Sequence, residues 1–229
     1  MSLASVRPLP LFLALVAGAI GGVGGGVGVP AASAPTPAAG AVAGTSACGG
    51  HGRAATRCAT ARRRIALRRV AQRDCPDADL QPSAENLERV RSATACLVAR
   101  ERARRGIGGL GNRQVLRRMA DGYARLMVRE DFFGHVTPSG VSFSRRIAAA
   151  GYPPRRRAWR AGENLAWGTG KMATPRDVVR RWMASPGHRR NLLDRAFDET
   201  GIGIALGAPG VAATGRTAAT YVQVLGARG

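Results

Sequence analysis

Three side chains in this sequence pair reactive chemistry with stiff surroundings: His135, Glu163 and His188. Glu163 is an acid in the apolar run Gly162-Glu163-Asn164-Leu165-Ala166-Trp167-Gly168, between two glycines that free the backbone for close approach. Carboxylates enter folded interiors only when they are paired or ligate something. His135 and His188, two of the chain's three histidines, flank it in glycine-containing turns, Phe132-Phe133-Gly134-His135 and Ser185-Pro186-Gly187-His188. Two neutral imidazoles and one carboxylate with an open fourth position make a zinc arrangement that can polarise water. The same groups can equally form a buried hydrogen-bonded set that fixes the fold. No second acid stands in a motif beside Glu163 to serve as base; Asp194, Asp198 and Glu199 read as surface charges. The G-x-S-x-G elbow and H-E-x-x-H are both missing, so no catalytic residue is assigned.

Helical and strand patterns supply the elements that must hold these groups. Apolar residues at Leu87, Val90, Leu97 and Val98 predict a helix over 83–105, with Ser83 as N-cap and Gly106 just beyond its end. Val115, Leu116, Met119, Ala120, Tyr123 and Met127 predict a second helix from near Asn112 to Glu130, and Phe143–Ala150 a shorter third. Residues 164–167 read as extended. Thr174-Pro175 opens another helix, which Ser185-Pro186-Gly187 breaks before a helical turn over 188–193. Ile202, Ile204 and Leu206 alternate with small residues, and 217–225 is rich in β-formers, so two strands close the chain. Helices first and strands late predict an α+β fold with an antiparallel sheet.

The chain of 229 residues holds 35 Lys+Arg against 14 Asp+Glu, a formal charge of +21, and Lys171 is its one lysine. Such a charge favours solubility and attraction to anionic polymers or membrane surfaces, and says nothing about fold. Its densest stretch is 61–73, with Arg62, Arg63, Arg64, Arg68, Arg69 and Arg73, either a basic surface helix or a disordered arm. Upstream, residues 9–29 are apolar and uncharged behind Arg7, and Ala32-Ser33-Ala34 follows as a small-x-small cleavage pattern; 1–34 reads as a secretory signal peptide. The run is also long enough for a retained anchor, though glycines from Gly18 to Gly28 weaken a helix there. Residues 35–82 read as a flexible, basic extension that carries cysteines, and 83–229 as the folded domain. An even set of four, Cys48, Cys58, Cys75 and Cys96, behind a signal peptide suggests two disulfides, with Cys48–Cys58 and Cys75–Cys96 the expected pairs.

Taken in order, the motifs Phe133-Gly134-His135, Pro138-Ser139-Gly140, Ala150-Gly151-Tyr152, Gly162-Glu163-Asn164-Leu165-Ala166, the run from Trp182 through Ser185-Pro186-Gly187-His188 to Leu193, Gly201-Ile202-Gly203 and Tyr221-Val222-Gln223 resemble the CAP superfamily of cysteine-rich secretory proteins, antigen 5 and pathogenesis-related proteins, in its bacterial SCP-like branch. The resemblance spans about Asn86 to Gly226. It implies an α-β-α sandwich, secretion and a cleft on one face of the sheet. Members of the eukaryotic kind carry two His and two Glu around that cleft, which can hold a divalent metal. His135 and Glu163 match the first of each, whereas the second Glu falls near Ser185 and the second His at Thr220. His188 is the candidate replacement, so the ligand or metal set expected here is His135, Glu163 and His188. Asn164, Ser185, Asn191, Tyr221 and Gln223 are expected to support it, and no cofactor is assigned beyond a divalent metal such as zinc. The expectation is a secreted, monomeric, non-enzymatic binding module for a cell-surface or cell-wall component or a lipid. A metal-dependent hydrolase using the same cleft is one alternative, and an anionic-polymer binder acting through the arginine-rich segments another; secretion argues against nucleic acid as a partner.

Overall fold

A computed structural model describes residues 52–152, 159–211 and 217–228; the expected leader, the tail behind it and Cys48 lie outside these residues. Alternation along the strands builds two cores. In β3 (Glu199–Leu206) and β4 (Ala218–Arg228), Ile202, Ile204 and Tyr221 face one layer while Ala205, Val222 and Val224 face the other. β4 pairs antiparallel with β3 on one side and with β2 (Trp159–Thr169) on the other. The two-residue β1 (Gly111–Asn112) lies parallel to β3, so the order is β1-β3-β4-β2 and β2 is an edge strand.

Helices cover both faces. α3 (Gln114–Arg129) and α4 (Phe143–Ala149) bury Leu116, Ala120, Tyr123, Met127 and Ile147 on one side. α2 (Leu87–Ala103), α5 (Pro175–Ala184) and α6 (Pro186–Leu193) bury Val90, Leu97, Val178, Trp182 and Leu192 on the other. This is the expected α-β-α sandwich. α3 lies directly on β3 because the strand offers glycine on that face: a Cβ at Gly201 would stand 2.1 Å from Arg117 N, and one at Gly203 2.1 Å from the Ala120 carbonyl carbon.

The expected break at 185–187 is a junction with Ser185 alone between α5 and α6, the second helix restarting on Pro186. α2 starts at Leu87 rather than at Ser83, because Asn86 Oδ1 accepts from Ser83 N at 2.8 Å and that bond closes a turn ahead of the helix. β2 is longer than the expected 164–167. The basic stretch is the helix α1 (Arg53–Gln72), which begins before residue 61 and lies within the segment expected to be flexible. Cys75 and Cys96 form the expected disulfide, with Cα atoms 5.7 Å apart. It ties the segment after α1 to α2 and contributes ~3 kcal/mol. Cys58, inside α1, is disulfide-bonded as well. Among the described residues no helix is long and apolar enough to cross a membrane.

Candidate functional site

On β2, Glu163 and Leu165 face α3 and α4 while Asn164 and Ala166 face α5 and α6, so one short stretch serves both sides of the sheet. On α4, Phe143, Arg146 and Ile147 fall at i, i+3 and i+4, one helical face, and this turns Arg146 inward. Its Nη2 donates to both Glu163 oxygens, at 2.9 and 2.7 Å, and its Nη1 to the His135 carbonyl at 2.8 Å. The guanidinium carbon stands 3.4 Å from the centroid of the Tyr123 ring, a cation–π contact. Tyr123 in turn donates its hydroxyl to the Gly134 carbonyl at 2.6 Å, which fixes the turn carrying His135. Burial pushes the Tyr123 hydroxyl up to about 12, with Arg146 acting against the rise and Glu163 adding to it.

His135 Nδ1 lies 2.8 Å from Glu163 Oε1. The Arg146 partner keeps that carboxylate an acceptor, so Nδ1 carries the proton and Nε2 is the ring nitrogen left for another partner. The side chains of Glu163 and Arg146 are 2% and 10% exposed, that of His135 54%. A buried ion pair thus presents an accessible imidazole.

The opposite face of β2 is braced by amides. Asn164 Nδ2 donates to Gln223 Oε1 at 3.2 Å and to the His188 carbonyl at 3.3 Å. Asn191 Nδ2 donates to Asn164 Oδ1 at 3.0 Å and to the Glu163 carbonyl at 3.2 Å. Trp182 Nε1 and Arg181 Nη1 take the next two outward carbonyls of this edge, those of Leu165 at 3.0 Å and Trp167 at 2.9 Å. Side chains from α5 and α6 therefore blunt an edge that would otherwise invite strand pairing. Beside the sealed edge opens a cavity of about 370 Å³, walled by Phe133, Leu165, Trp167, Met172 and Trp182, with Arg181, Ser185 and His188 as polar members. Phe133 and Met172 are about half exposed. His188 is half-buried, and its pKa is lowered first by burial and then by the charge of nearby His135, so it is neutral at pH 7.

The structure brings together His135 and Glu163, sets His188 within electrostatic reach of His135, and places Ser185, Asn164, Asn191 and Gln223 around them. Tyr221 stands apart: it is buried in the core and donates to the Ala173 carbonyl at 2.6 Å. Glu199, read as a surface charge, is buried and bonded to Arg113 and to the Tyr152 hydroxyl. The expected metal trio does not fit. Among the described residues no three His, Cys, Asp or Glu side chains stand together as a metal set. Glu163 shows why: its oxygens already serve a guanidinium and an imidazole N–H. Arg146 and Tyr123 are the site members that sequence reasoning missed. The signal for Arg146 was its spacing with Phe143 and Ile147.

The profile of the cysteine-rich secretory protein family, CAP, matches residues 96–224, more than half of the chain. The chain belongs to the CAP family. Uncharacterized protein YkwD of Bacillus subtilis (strain 168) is 32% identical over 103 residues, which cover 45% of this chain and 37% of that protein, so the CAP chain here spans well under half of that relative's length. Among solved structures, an extracellular SCP-domain protein from Bacillus anthracis str. Ames is 23% identical with a TM-score of 0.46, over 67% of this chain and 44% of its own. An outer surface protein from Borrelia burgdorferi is 21% identical with a TM-score of 0.48, over 65% and 96%.

Proposed function

We propose that this CAP protein is a secreted, non-enzymatic binding module whose cleft receives a small amphiphilic molecule of a cell surface or cell wall, lipid included. The observation that carries the reading is the cavity of about 370 Å³, apolar along Phe133, Trp167 and Met172 and polar at Arg181, Ser185 and His188. Pockets of that make-up hold a ligand by its apolar body and orient it by a few polar groups. His188, neutral at pH 7, can donate to or accept from an uncharged polar end, and His135 stands nearby. Glu163 supports a binding role over a hydrolytic one, because a carboxylate held by Arg146 and His135 is a strut and not a free base. Secretion is part of the proposal and rests on the apolar run 9–29 with Ala32-Ser33-Ala34 behind it.

Equilibrium titration of the mature, oxidised protein with a fluorescent long-chain acyl probe tests the cleft. Phe133→Ser and His188→Ala are each expected to weaken binding ~10-fold, about 1.4 kcal/mol, while Arg118→Gln on the other layer leaves it unchanged. Binding indifferent to both cleft variants, or no saturable binding, ends this reading. Stoichiometric zinc that is lost in both His135→Ala and Glu163→Gln would favour the metal reading in its place.

A further inference from the structure

We propose that the face built from α1, the C-terminal half of α2, and α5 with α6 binds a linear, phosphate-bearing polyanion along one continuous arginine track. The track shares no residue with the cleft. Two cavities of about 320 Å³ each define it. Arg63, Arg64, Arg68 and Arg104 wall the first, between α1 and the end of α2, and Leu67 and Ala103 also line it. Arg100, Arg105, Arg176, Arg180 and Arg189 wall the second, between α2 and α5–α6, beside Leu97, Val179 and Met183. Adjacent Arg104 and Arg105 join the two cavities.

Local acids do not neutralise this surface. Glu101 is shared by Arg104 and Arg105, and Arg176 and Arg180 pair with Asp79 and Asp177. Among the described residues no carboxylate pairs with Arg63, Arg64, Arg68 or Arg100, and Arg100 Nε is buried with no hydrogen-bond partner. Among the described residues, α1 packs on α2 through half-buried side chains alone. No described side chain of it is fully buried, it contains no Asp or Glu, and Arg57, Arg62, Arg63, Arg64, Arg68 and Arg69 are all exposed. The Cys75–Cys96 disulfide just past its end ties the chain there to α2 where a core would otherwise hold it. Arg64 and Arg68 repel each other at i, i+4, a cost an anion removes.

A helix of 20 residues runs about 30 Å, longer than a single anion can cover and suited to a chain of them. Guanidinium forks match phosphate oxygens two at a time, whereas a lysine would act as a point charge. The partner is a phosphate polymer, and since the same forks also match carboxylates, a polycarboxylate is the alternative that the test separates.

The test uses the mature, oxidised protein and long-chain inorganic polyphosphate, with tripolyphosphate and polyglutamate as comparison probes. Affinity for the long chain is expected to fall linearly in log salt, with a slope of ~0.7 per phosphate engaged. Arg63→Gln/Arg64→Gln/Arg68→Gln and Arg100→Gln/Arg180→Gln/Arg189→Gln should each weaken binding ~10-fold or more and flatten that slope. Lysine at the same positions should keep the slope and lose part of the affinity. A control triple on α3, Arg118→Gln/Arg125→Gln/Arg129→Gln, should change little, and thermal melts establish that every variant is folded. The proposal falls if the control triple is as damaging as the clusters, since net charge would then suffice. It falls equally if one cluster carries all the loss, if tripolyphosphate binds as tightly as the long chain, or if polyglutamate matches polyphosphate.

Discussion

Glu163 carries a charge into a place 2% exposed, and the partners that allow it are Arg146 and His135. Breaking such a pair leaves an uncompensated ion, which costs more than the pair is worth. Glu163→Gln is therefore expected to lose ~3 kcal/mol of stability by urea denaturation, Arg146→Met a similar amount, and the double variant much less than the sum. Additive losses would show that the two act independently, and the strut assignment would be wrong. Glu163, His135 and the bracing asparagines were legible because an acid in an apolar run, a histidine after a Phe-Gly turn and paired amides announce themselves by type. Arg146 was hidden among 35 basic residues, where type says nothing and only helical spacing singles one out. Tyr221 was misread through its motif: it lies opposite Ala166, two pairs along the ladder from Gln223 opposite Asn164, and that step takes it out of the amide network into the core.

Strand and helix patterns made most elements legible, since alternation at Ile202, Ile204 and Leu206 and the apolar faces of α3 and α5 depend on local spacing alone. What stayed hidden depends on distant partners: β1 is too short for any period, and the start of α2 is set by a turn bond from Asn86. The glycines of Gly201-Ile202-Gly203 are where the two kinds of information meet, because their role is the α3 backbone resting on them. Gly203→Ala is expected to cost ~3 kcal/mol through overpacking, since its Cβ would meet backbone that cannot swing aside. A melt of Gly203→Ala indistinguishable from wild type would mean that α3 can lift off β3 freely. Arg102 offers a second test between elements. It is 1% exposed and donates from the end of α2 to the carbonyls of Gly108, Leu192, Asp194 and Phe197. Arg102→Met strands those acceptors and should lose ~3 kcal/mol or more, while no rim arginine such as Arg129 should approach that.

Across the whole molecule, titrating groups give stability a pH profile whose two sides have different origins. His188 has a folded pKa below its ordinary 6.5 because burial and His135 disfavour the charged ring. Above pH 6.5 neither folded nor unfolded chains protonate this ring, so it contributes nothing there. Below 6.5 the unfolded chain takes up a proton that the folded one refuses, and stability must fall as pH falls. A second decline follows in stronger acid. Asp77, Asp79 and Glu88 have pKa values lowered by hydrogen bonds from Arg89, Arg176 and Arg91, so their contribution is present above the ordinary 3.8 or 4.5 and is lost below it. The carboxylates of these pairs are reached by solvent, and salt should shrink that step. On the alkaline side Tyr123 is raised from 10.0 to about 12, so above pH 10 the unfolded chain ionises first and stability falls again. Urea midpoints at constant ionic strength should therefore stay level between about pH 7 and 9 and slope away on either side. His188→Gln should remove the decline that begins at 6.5 and leave the deeper acid step in place. A decline near 6.5 that persists in His188→Gln would trace it to another group.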